Sequence, residues 1–218
     1  MQRVPERELM DSPRSARAYA EADFADVNEA FVERLLELAP GQAVWAVDLG
    51  TGPADIPIRV VKKRAGWRIT GIERSAEMLR IAQEAIDAAG VSDRILLSLA
   101  DVKETKLPDH TVEMIFSNTV LHHLPDPHPF WREIKRLAKP GAVVFVRDLM
   151  RPSSEVTAKR VVELYAEDES ELLQQEFYNS LLAAFRPDEV RQQLDAAGLE
   201  SLQVQPATDR HMDVFGTL

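Results

Sequence analysis

Two closely spaced glycines follow a short apolar run in the segment Val47-Asp48-Leu49-Gly50-Thr51-Gly52. Glycine has no Cβ, so its backbone can approach a bound molecule closely. The helix that we predict after this turn, Asp55 to Ala65, would begin with unpaired backbone N–H groups, which favour a bound ligand. A tight strand-to-helix turn also needs glycine for structural reasons alone, so the segment predicts a small-molecule site only together with other residues.

Acidic residues end the next two predicted strands. Glu73 stands 23 residues after Gly50 at the end of the strand Arg68 to Glu73, and Asp101 ends the strand Arg94 to Asp101. A carboxylate in such a position can accept hydrogen bonds from ribose hydroxyl groups. A solvated acid at a strand end is the structural alternative. Together with the glycine turn, Glu73 indicates a ligand that contains adenosine.

Two kinds of adenosine cofactor compete for this arrangement. The dinucleotide fingerprint requires a third glycine three residues after Gly52, where this chain has Asp55. An acid at the start of a helix suits the helix dipole but would repel a pyrophosphate. The same acid tolerates a ligand that carries an ammonium and a sulfonium group. The sequence therefore favours a sulfonium cofactor over NAD.

Several polar residues near the predicted strand ends are candidates for acid–base chemistry. Histidine has the side chain whose ordinary pKa lies nearest to neutral pH, and an acceptor that carries a proton needs a base. We predict His123, His122 and Asp148 as catalytic residues, with a structural role as the alternative for each. Arg147 and His211 are weaker candidates at the same rim.

Strands and helices alternate through the first two thirds of the chain. The predicted strands are Ala43 to Leu49, Arg68 to Glu73, Arg94 to Asp101, Val112 to Asn118 and Ala142 to Leu149. The intervening helices are Asp55 to Ala65, Ala76 to Ala89 and Pro127 to Leu137. This rhythm is typical of an α/β fold with a doubly wound, mostly parallel sheet that binds its ligand at the carboxyl ends of the strands.

The flanking regions break this rhythm. A helical lead-in occupies residues 1–40, with helical periodicity from Ser15 to Leu38, and a helical insertion occupies residues 152–186. A further helix, Pro187 to Ala197, precedes a closing pair of strands, Ser201 to Val204 and His211 to Phe215. We predict a single domain over residues 1–218. Aromatic residues that can line a lid, or fill the core instead, are Tyr19, Phe24, Tyr165, Phe177, Tyr178 and Phe185.

Composition narrows the possible partners. The formal net charge of -10 and the absence of a basic stripe disfavour nucleic acid. The chain has no cysteine, which excludes disulfides and thiolate metal sites, and we predict no metal. No run reaches the length of a membrane span or a signal peptide, so we expect no membrane insertion and a cytoplasmic location. A homodimer is possible.

Five ordered segments resemble one enzyme family, the class I S-adenosylmethionine-dependent methyltransferases, especially their small-molecule branch (methyltransferase type 11). The resemblance implies a Rossmann-like, seven-stranded sheet with helices on both faces and a C-terminal antiparallel strand. The matching segments are Ala46 to Gly52, Ile69 to Glu73, Leu99 to Val102, Ser117 to Asp126 and Ile134 to Gly141. Two departures are Ala54, where many members have glycine, and Ala142, which replaces the second glycine of a Pro-Gly-Gly turn. The Cβ of Ala54 restricts positive φ, so we expect this residue to have joined the following helix.

The resemblance also implies functional roles. Asp48, Gly50 and Gly52 would hold the methionine part of S-adenosylmethionine, Glu73 would bind the ribose, and Asp101 with Val102 would face the adenine. The predicted cofactor-binding set is Asp48, Gly50, Thr51, Gly52, Glu73, Arg74, Met78, Asp101, Val102 and Asn118. We expect methyl transfer to an oxygen, nitrogen, sulfur or carbon atom of a small molecule. The alternatives are a noncatalytic subunit that binds the same cofactor and an NAD-dependent oxidoreductase.

Overall fold

A computed structural model describes residues 1–6, 19, 24–39, 41–42 and 44–218 of the 218-residue chain. The helices of this part are α1 Ala25–Leu38, α2 Asp55–Lys63, α3 Ala76–Ala89, α4 His128–Leu137, α5 Glu155–Ala166, α6 Glu171–Ala183 and α7 Pro187–Ala197. The strands are β1 Trp45–Leu49, β2 Arg68–Glu73, β3 Ile95–Leu99, β4 Val112–Asn118, β5 Ala138–Leu149, β6 Gln203–Pro206 and β7 His211–Thr217. A short 3-10 turn, Leu121–His123, follows β4.

The strands form one seven-stranded sheet with the order β3-β2-β1-β4-β5-β7-β6. Strands β1 to β5 pair in parallel, whereas β7 runs antiparallel to both β5 and β6. The chain order reverses beside β1, because β2 lies on one side of it and β4 on the other. In doubly wound sheets this switch point is where ligands bind. The predicted fold class is confirmed.

Local signals explain why several helix bounds match the sequence prediction. Ser75 precedes α3, and its side chain accepts a hydrogen bond from the backbone N–H of Met78, while Gly90 ends the helix in the left-handed conformation. Ser154 and Ser170 cap α5 and α6 in the same way. These caps satisfy backbone groups that each helix end would otherwise leave unpaired.

Both faces of the sheet are covered. One face packs against α4 and α7, and the other against α1, α2 and α3. Phe31 of α1 is fully buried and stacks on Phe145 of β5 with 4.7 Å between ring centroids. Burying a side chain of this size contributes roughly 1.5–3 kcal/mol. The two cores hold the central strands rigidly, so residues at the strand ends have fixed positions.

Two expectations about the backbone are wrong. Ala54 was expected to have joined the helix α2, but it precedes the helix with a φ of 64°, in the left-handed region. The N–H of Ala54 donates to the carbonyl of Thr51 at 3.0 Å, which closes a turn directly before the helix. The fifth strand begins at Ala138 rather than Ala142, since Ala138 already pairs with Val112 and the N–H of Gly141 donates to Leu218.

The flanking helices are partly described. α1 lies within the predicted lead-in, but residues 15–18 and 20–23 of the predicted periodicity lie outside the described residues. The insertion contains α5 and α6, which share a small core with Leu149 at the end of β5. None of the described helices combines the length and apolar content that a membrane span requires.

Candidate functional site

A cavity of about 340 Å³ opens beside the carboxyl end of β1. Five residues of the predicted cofactor-binding set line it, namely Asp48, Gly50, Thr51, Gly52 and Asn118. Four lead-in residues, Tyr19, Phe24, Ala25 and Asn28, also line it. Sequence reasoning had named Tyr19 and Phe24 as lid candidates, whereas Asn28 was missed because a lone asparagine in a helical pattern carries no signal. The cavity lies at the topological switch point of the sheet.

Glycine is required at the two positions of the turn for different structural reasons. Both adopt positive φ, 83° at Gly50 and 51° at Gly52. A Cβ on Gly50 would lie 2.3 Å from Cγ2 of Val120, so this glycine allows the turn to pack against the residues after β4. A Cβ on Gly52 would meet nothing within 4 Å, so Gly52 borders open space. The cavity needs Gly52 small, and the fold needs Gly50 small.

Asp48 is the most buried acid of the cavity, with 2% exposure. Burial raises its pKa to about 7, and the negative charge of Glu73 adds to the effect. The carboxyl group is therefore partly protonated at neutral pH in the protein alone. A cationic ligand group beside it would favour the ionised form.

Glu73 joins the end of β2 to the glycine turn. Its Oε2 accepts a hydrogen bond from the N–H of Gly52 at 3.1 Å. Its Oε1 accepts from the N–H groups of Arg74 and Ser75 at 2.8 and 2.9 Å. The carboxylate thus lies beside the turn in a defined orientation, with lone pairs available to hydroxyl donors.

Asn118 ends β4 on the other side of the switch point. Its Oδ1 is buried and has no hydrogen-bond partner among the described residues. Buried polar atoms are nearly always paired, so an unpaired oxygen beside a cavity indicates a site for a donor group of a ligand. Thr119, the next residue, has a φ of 55°, which is rare for a β-branched residue. Backbone strain of this kind often marks functional sites.

Glu73 and four other predicted cofactor residues lie outside the lining of this cavity. Asp101 pairs with Lys103 at 2.6 Å, and although burial raises the pKa of Asp101, Lys103 holds it below its ordinary value. Val102 and Met78 are buried at 8% and 5% exposure, and Arg74 is exposed. Their role in cofactor binding stays a prediction.

Asp55, the residue that argued against a dinucleotide, also lines the cavity. Its Oδ2 accepts hydrogen bonds from Nε of Arg59 at 2.6 Å and from Nδ2 of Asn28 at 2.9 Å. The ion pair compensates part of its negative charge, so the charge argument against a pyrophosphate is weaker than the sequence alone suggested. The lack of the glycine that the dinucleotide fingerprint requires at this position still argues against a dinucleotide.

Among the predicted catalytic residues, His122 and Asp148 form an interior pair. Nδ1 of His122 lies 2.7 Å from Oδ1 of Asp148, and both side chains are nearly fully buried. Burial favours the neutral imidazole, but the charge of Asp148, its hydrogen bond and the charge of Glu6 together outweigh burial and raise the pKa of His122. The pKa of Asp148 lies below its ordinary value, because His122 outweighs the effect of burial. The pair links the 3-10 turn to β5.

His123 is more accessible, with 23% of its side chain exposed. Its Nδ1 contacts Oε2 of Glu6, a residue that sequence reasoning missed. No periodicity or motif singles out Glu6, because it lies in a stretch that alternates charged and small residues. Burial and the neighbouring His122 lower the pKa of His123. The imidazole is thus predominantly neutral at pH 7 and can accept a proton.

Glu6, His122 and His123 together offer three potential metal-ligand atoms that lie within 4.8 Å of one another. One nitrogen of each ring already has an acid partner among the described residues, since Nδ1 of His122 pairs with Asp148 and Nδ1 of His123 with Glu6. The direct contact between Glu6 and His123 is instead that of a carboxylate paired with an imidazole.

The remaining candidates have internal partners. Arg147 forms a buried ion pair with Asp213 at 2.7 Å, the structural role that was its alternative. His211 is buried, and its pKa is lowered to about 4 by burial and by the charges of Arg210 and Arg147. Of the six aromatic lid candidates, Tyr19 and Phe24 line the cavity. Phe177 and Tyr178 pack on the small core of α5 and α6.

Comparison with known proteins agrees with this geometry. A family model described as a methyltransferase domain matches residues 47–146. Phosphoethanolamine N-methyltransferase of Triticum aestivum is 28% identical over 199 residues, which cover 88% of this chain and 38% of that protein. Trans-aconitate 2-methyltransferase of Azoarcus sp. (strain BH72) is 32% identical over 125 residues, which cover 57% of this chain and 47% of that protein. The chain thus spans less than half the length of either relative.

The fold has close counterparts among solved structures. A SAM-dependent methyltransferase from Aquifex aeolicus superposes with a TM-score of 0.68 at 19% identity, and the match covers 94% of this chain and 98% of that one. The matched family residues run from β1 to β5 and include the glycine turn, Glu73 and Asn118. Residues 47–146 therefore form a methyltransferase domain, the part of the chain that resembles the class I S-adenosylmethionine-dependent methyltransferases.

Proposed function

We propose that this chain transfers a methyl group from S-adenosylmethionine to a small-molecule acceptor. The observation that carries the proposal is the cavity at the switch point of the sheet, where Asp48, Gly52 and Asn118 meet. The cavity combines a buried acid, an open glycine backbone and an unpaired buried oxygen. These features suit a ligand that carries both a positive charge and hydrogen-bond donors.

The residues present fit the cofactor. Asp48 and Oδ1 of Asn118 would bind its ammonium group, and Gly52 leaves room for its close approach. Glu73 would accept hydrogen bonds from the ribose hydroxyls. When bound, S-adenosylmethionine supplies an electrophilic methyl group on a sulfonium sulfur. The chain itself mainly has to hold the acceptor in line with that methyl group and exclude water.

We further propose that Nε2 of His123 takes the proton that the acceptor loses. This role fits a neutral imidazole whose Nε2 has no hydrogen-bond partner among the described residues. His122 and Asp148 would act through position, because their buried pair fixes the turn from which His123 extends. The acceptor atom, whether oxygen, nitrogen, sulfur or carbon, stays open, since the names of the two relatives imply different acceptors.

The location of the protein and the class of its acceptor are also proposals. A cytoplasmic location is supported by the absence of cysteine from the sequence. The net charge of -10 supports a small-molecule acceptor over nucleic acid. A homodimer stays a prediction.

Calorimetric titration with S-adenosylhomocysteine tests the cofactor site. The wild-type chain should bind one equivalent, and Gly52→Val should lose binding while it stays folded. Gly90→Val is the matched control, because Gly90 also has positive φ (68°) and open space around a Cβ, but caps α3 away from the cavity. Absence of binding by the wild type, or equal affinity in Gly52→Val, would refute the proposed site.

A further inference from the structure

We infer that Glu6 is a positioning residue for His123: it accepts the hydrogen on Nδ1 and thereby leaves Nε2 free to accept a proton from the methyl acceptor. The inference rests on the proposed function for its chemical meaning. The arrangement of the two side chains, however, is a property of the protein that can be measured without an acceptor. Nothing in the sequence pattern points to residue 6.

The direct evidence is the contact between Nδ1 of His123 and Oε2 of Glu6. The other carboxylate oxygen, Oε1, accepts a hydrogen bond from the hydroxyl of Ser180 on α6 at 2.6 Å. The side chain of Glu6 is only 13% exposed. Glu6 is therefore held from both oxygens, and its orientation toward His123 is fixed.

The charge states determine which nitrogen carries the hydrogen. Burial alone would raise the pKa of Glu6, but its bonds to His123 and Ser180 and the nearby histidines hold it below the ordinary value. Glu6 is thus ionised at neutral pH, and an ionised carboxylate can only accept hydrogen bonds. His123 is predominantly neutral, so its single N–H must lie on Nδ1, and Nε2 keeps its lone pair.

A short segment delivers Glu6 to this place. Residues 1–6, which we call the N-terminal strap, lie against the 3-10 turn and the end of α6. The guanidinium of Arg3 donates hydrogen bonds to the carbonyls of His122 and Leu124, both at 2.9 Å, and lies 3.8 Å over the ring of Phe185. The N–H of Val4 donates to the carbonyl of Leu182 at 3.1 Å. The strap is thus anchored independently of Glu6.

Other charged groups around Glu6 and His123 do not change the assignment of the hydrogen to Nδ1 of His123. Asp148 is paired with His122. Arg3 lowers the pKa of His122 by less than Asp148 raises it, and the guanidinium of Arg3 is held by backbone carbonyls. Glu6 is consequently the acid in direct contact with the ring of His123 among the described residues. The relation is that of an orienting carboxylate and a base.

Nitrogen-15 NMR of protein labelled in its histidines tests the inference, because the shifts of the two ring nitrogens report the tautomer. In the wild type, His123 should be almost entirely the Nδ1–H form above its pKa. In Glu6→Gln, the amide can donate as well as accept, so we expect a mixture with the Nε2–H form and a lower pKa of His123. Ser180→Ala keeps the carboxylate and should retain the wild-type tautomer.

The control is Glu104→Gln, which removes the same charge from an exposed ion pair with Lys106 and should leave His123 unchanged. An unchanged tautomer and pKa of His123 in folded Glu6→Gln would overturn the inference. Stoichiometric binding of Zn²⁺ that Glu6→Gln abolishes would overturn it as well, because the cluster would then be a metal site. Failure of the proposed function appears separately, as absent binding of S-adenosylhomocysteine.

Discussion

Oδ2 of Asp148 accepts a hydrogen bond from the backbone N–H of Leu121 at 2.6 Å, while its other oxygen contacts the ring of His122. One carboxylate therefore holds both the backbone and a side chain of the 3-10 turn. The N–H of Leu149 donates to Oδ1 as well, at 2.7 Å. The end of β5 and the turn after β4 are joined at a single buried group.

Replacement of the Asp148 carboxylate tests how much it contributes to the free energy of unfolding. Asp148→Asn should lower the free energy of unfolding by about 3 kcal/mol, because breaking a buried charged pair typically costs about 3–5 kcal/mol and asparagine keeps one acceptor. Urea denaturation at pH 6 measures the change. Asp126→Asn, which alters the exposed pair with His128, is the matched control and should have little effect. Equal stability of the two variants would contradict the prediction.

The same pair predicts a pH window. The pKa of Asp148 is lowered, so its contribution is present above about pH 3.9 and is lost as the pH falls through the folded value. The pKa of His122 is raised, so its contribution is present below about pH 6.5 and is lost as the pH rises through the folded value. The stability difference between wild type and Asp148→Asn should be largest between these limits. A difference that does not vary with pH would contradict it.

Cofactor affinity should depend on pH through Asp48. Its pKa of about 7 means that the acid is mostly protonated at pH 6, and only the ionised form attracts an ammonium group. Binding of S-adenosylhomocysteine should therefore be about tenfold weaker at pH 6 than at pH 8. Calorimetry at both pH values checks the ratio. Asp48→Asn should bind more weakly at pH 8 and lose the pH dependence.

The raised pKa of Asp48 also has a cost in stability. The folded chain keeps a proton on this acid that the unfolded chain releases near pH 3.9, so the free energy of unfolding falls as the pH rises toward 7. Asp48→Asn should remove this loss and be more stable than wild type at pH 8 without cofactor, by at most about 4 kcal/mol. Thermal unfolding measures the difference, and a less stable variant would show that Asp48 is not strained by burial.

Gly50 and Val120 should be energetically coupled. Gly50→Ala adds a Cβ that would lie 2.3 Å from Cγ2 of Val120 and also strains a positive φ. We expect a loss of about 2–5 kcal/mol in the free energy of unfolding. In a Val120→Ala background the same change should cost less, because the clashing methyl is gone. Additive losses in a double-mutant cycle would contradict the packing described.

Arg3 should control the mobility of the N-terminal strap. Arg3→Ala removes hydrogen bonds to several backbone carbonyls and the contact with Phe185, so the strap should detach more often. Hydrogen exchange of the Val4 amide, which is bonded to Leu182, should accelerate by at least about tenfold, as expected for a loss of roughly 1.4 kcal/mol or more. Arg34→Ala, at an exposed pair with Glu37, should not change that rate.

Much of the fold was predictable because its signals are local. The bounds of α3 follow from Ser75 and Gly90, and β4 follows from its apolar run Val112–Asn118. Ala54 was mispredicted because its conformation is set where the chain passes from the turn at Thr51 into α2, and a single-residue preference against positive φ does not include that context. The start of β5 was missed because its first residues pair with β4 and the chain end, which are nonlocal partners.

The candidate site also contains residues that local sequence predicts and residues that it does not. Asp48, Gly50 and Gly52 lie in one contiguous segment, so motif and spacing were sufficient to place them together. Asn28 and Glu6 reach the site only through tertiary structure, since Glu6 contacts a histidine 117 positions away. The sequence also could not show that Arg59 pairs with Asp55, which changes the charge at the cavity wall.

The N-terminal strap also sets an order of events during folding. Arg3 donates to the carbonyl of Ala183 across 180 positions, and Glu6 meets Ser180 across 174. Closing a loop of that length costs entropy, which only a formed docking surface can offset. Residues 1–6 can therefore dock only after the end of α6 has formed. His123 gains its contact with Glu6 late in folding, so a chain whose α6 is unfolded can form the glycine turn while the ring of His123 is not yet held.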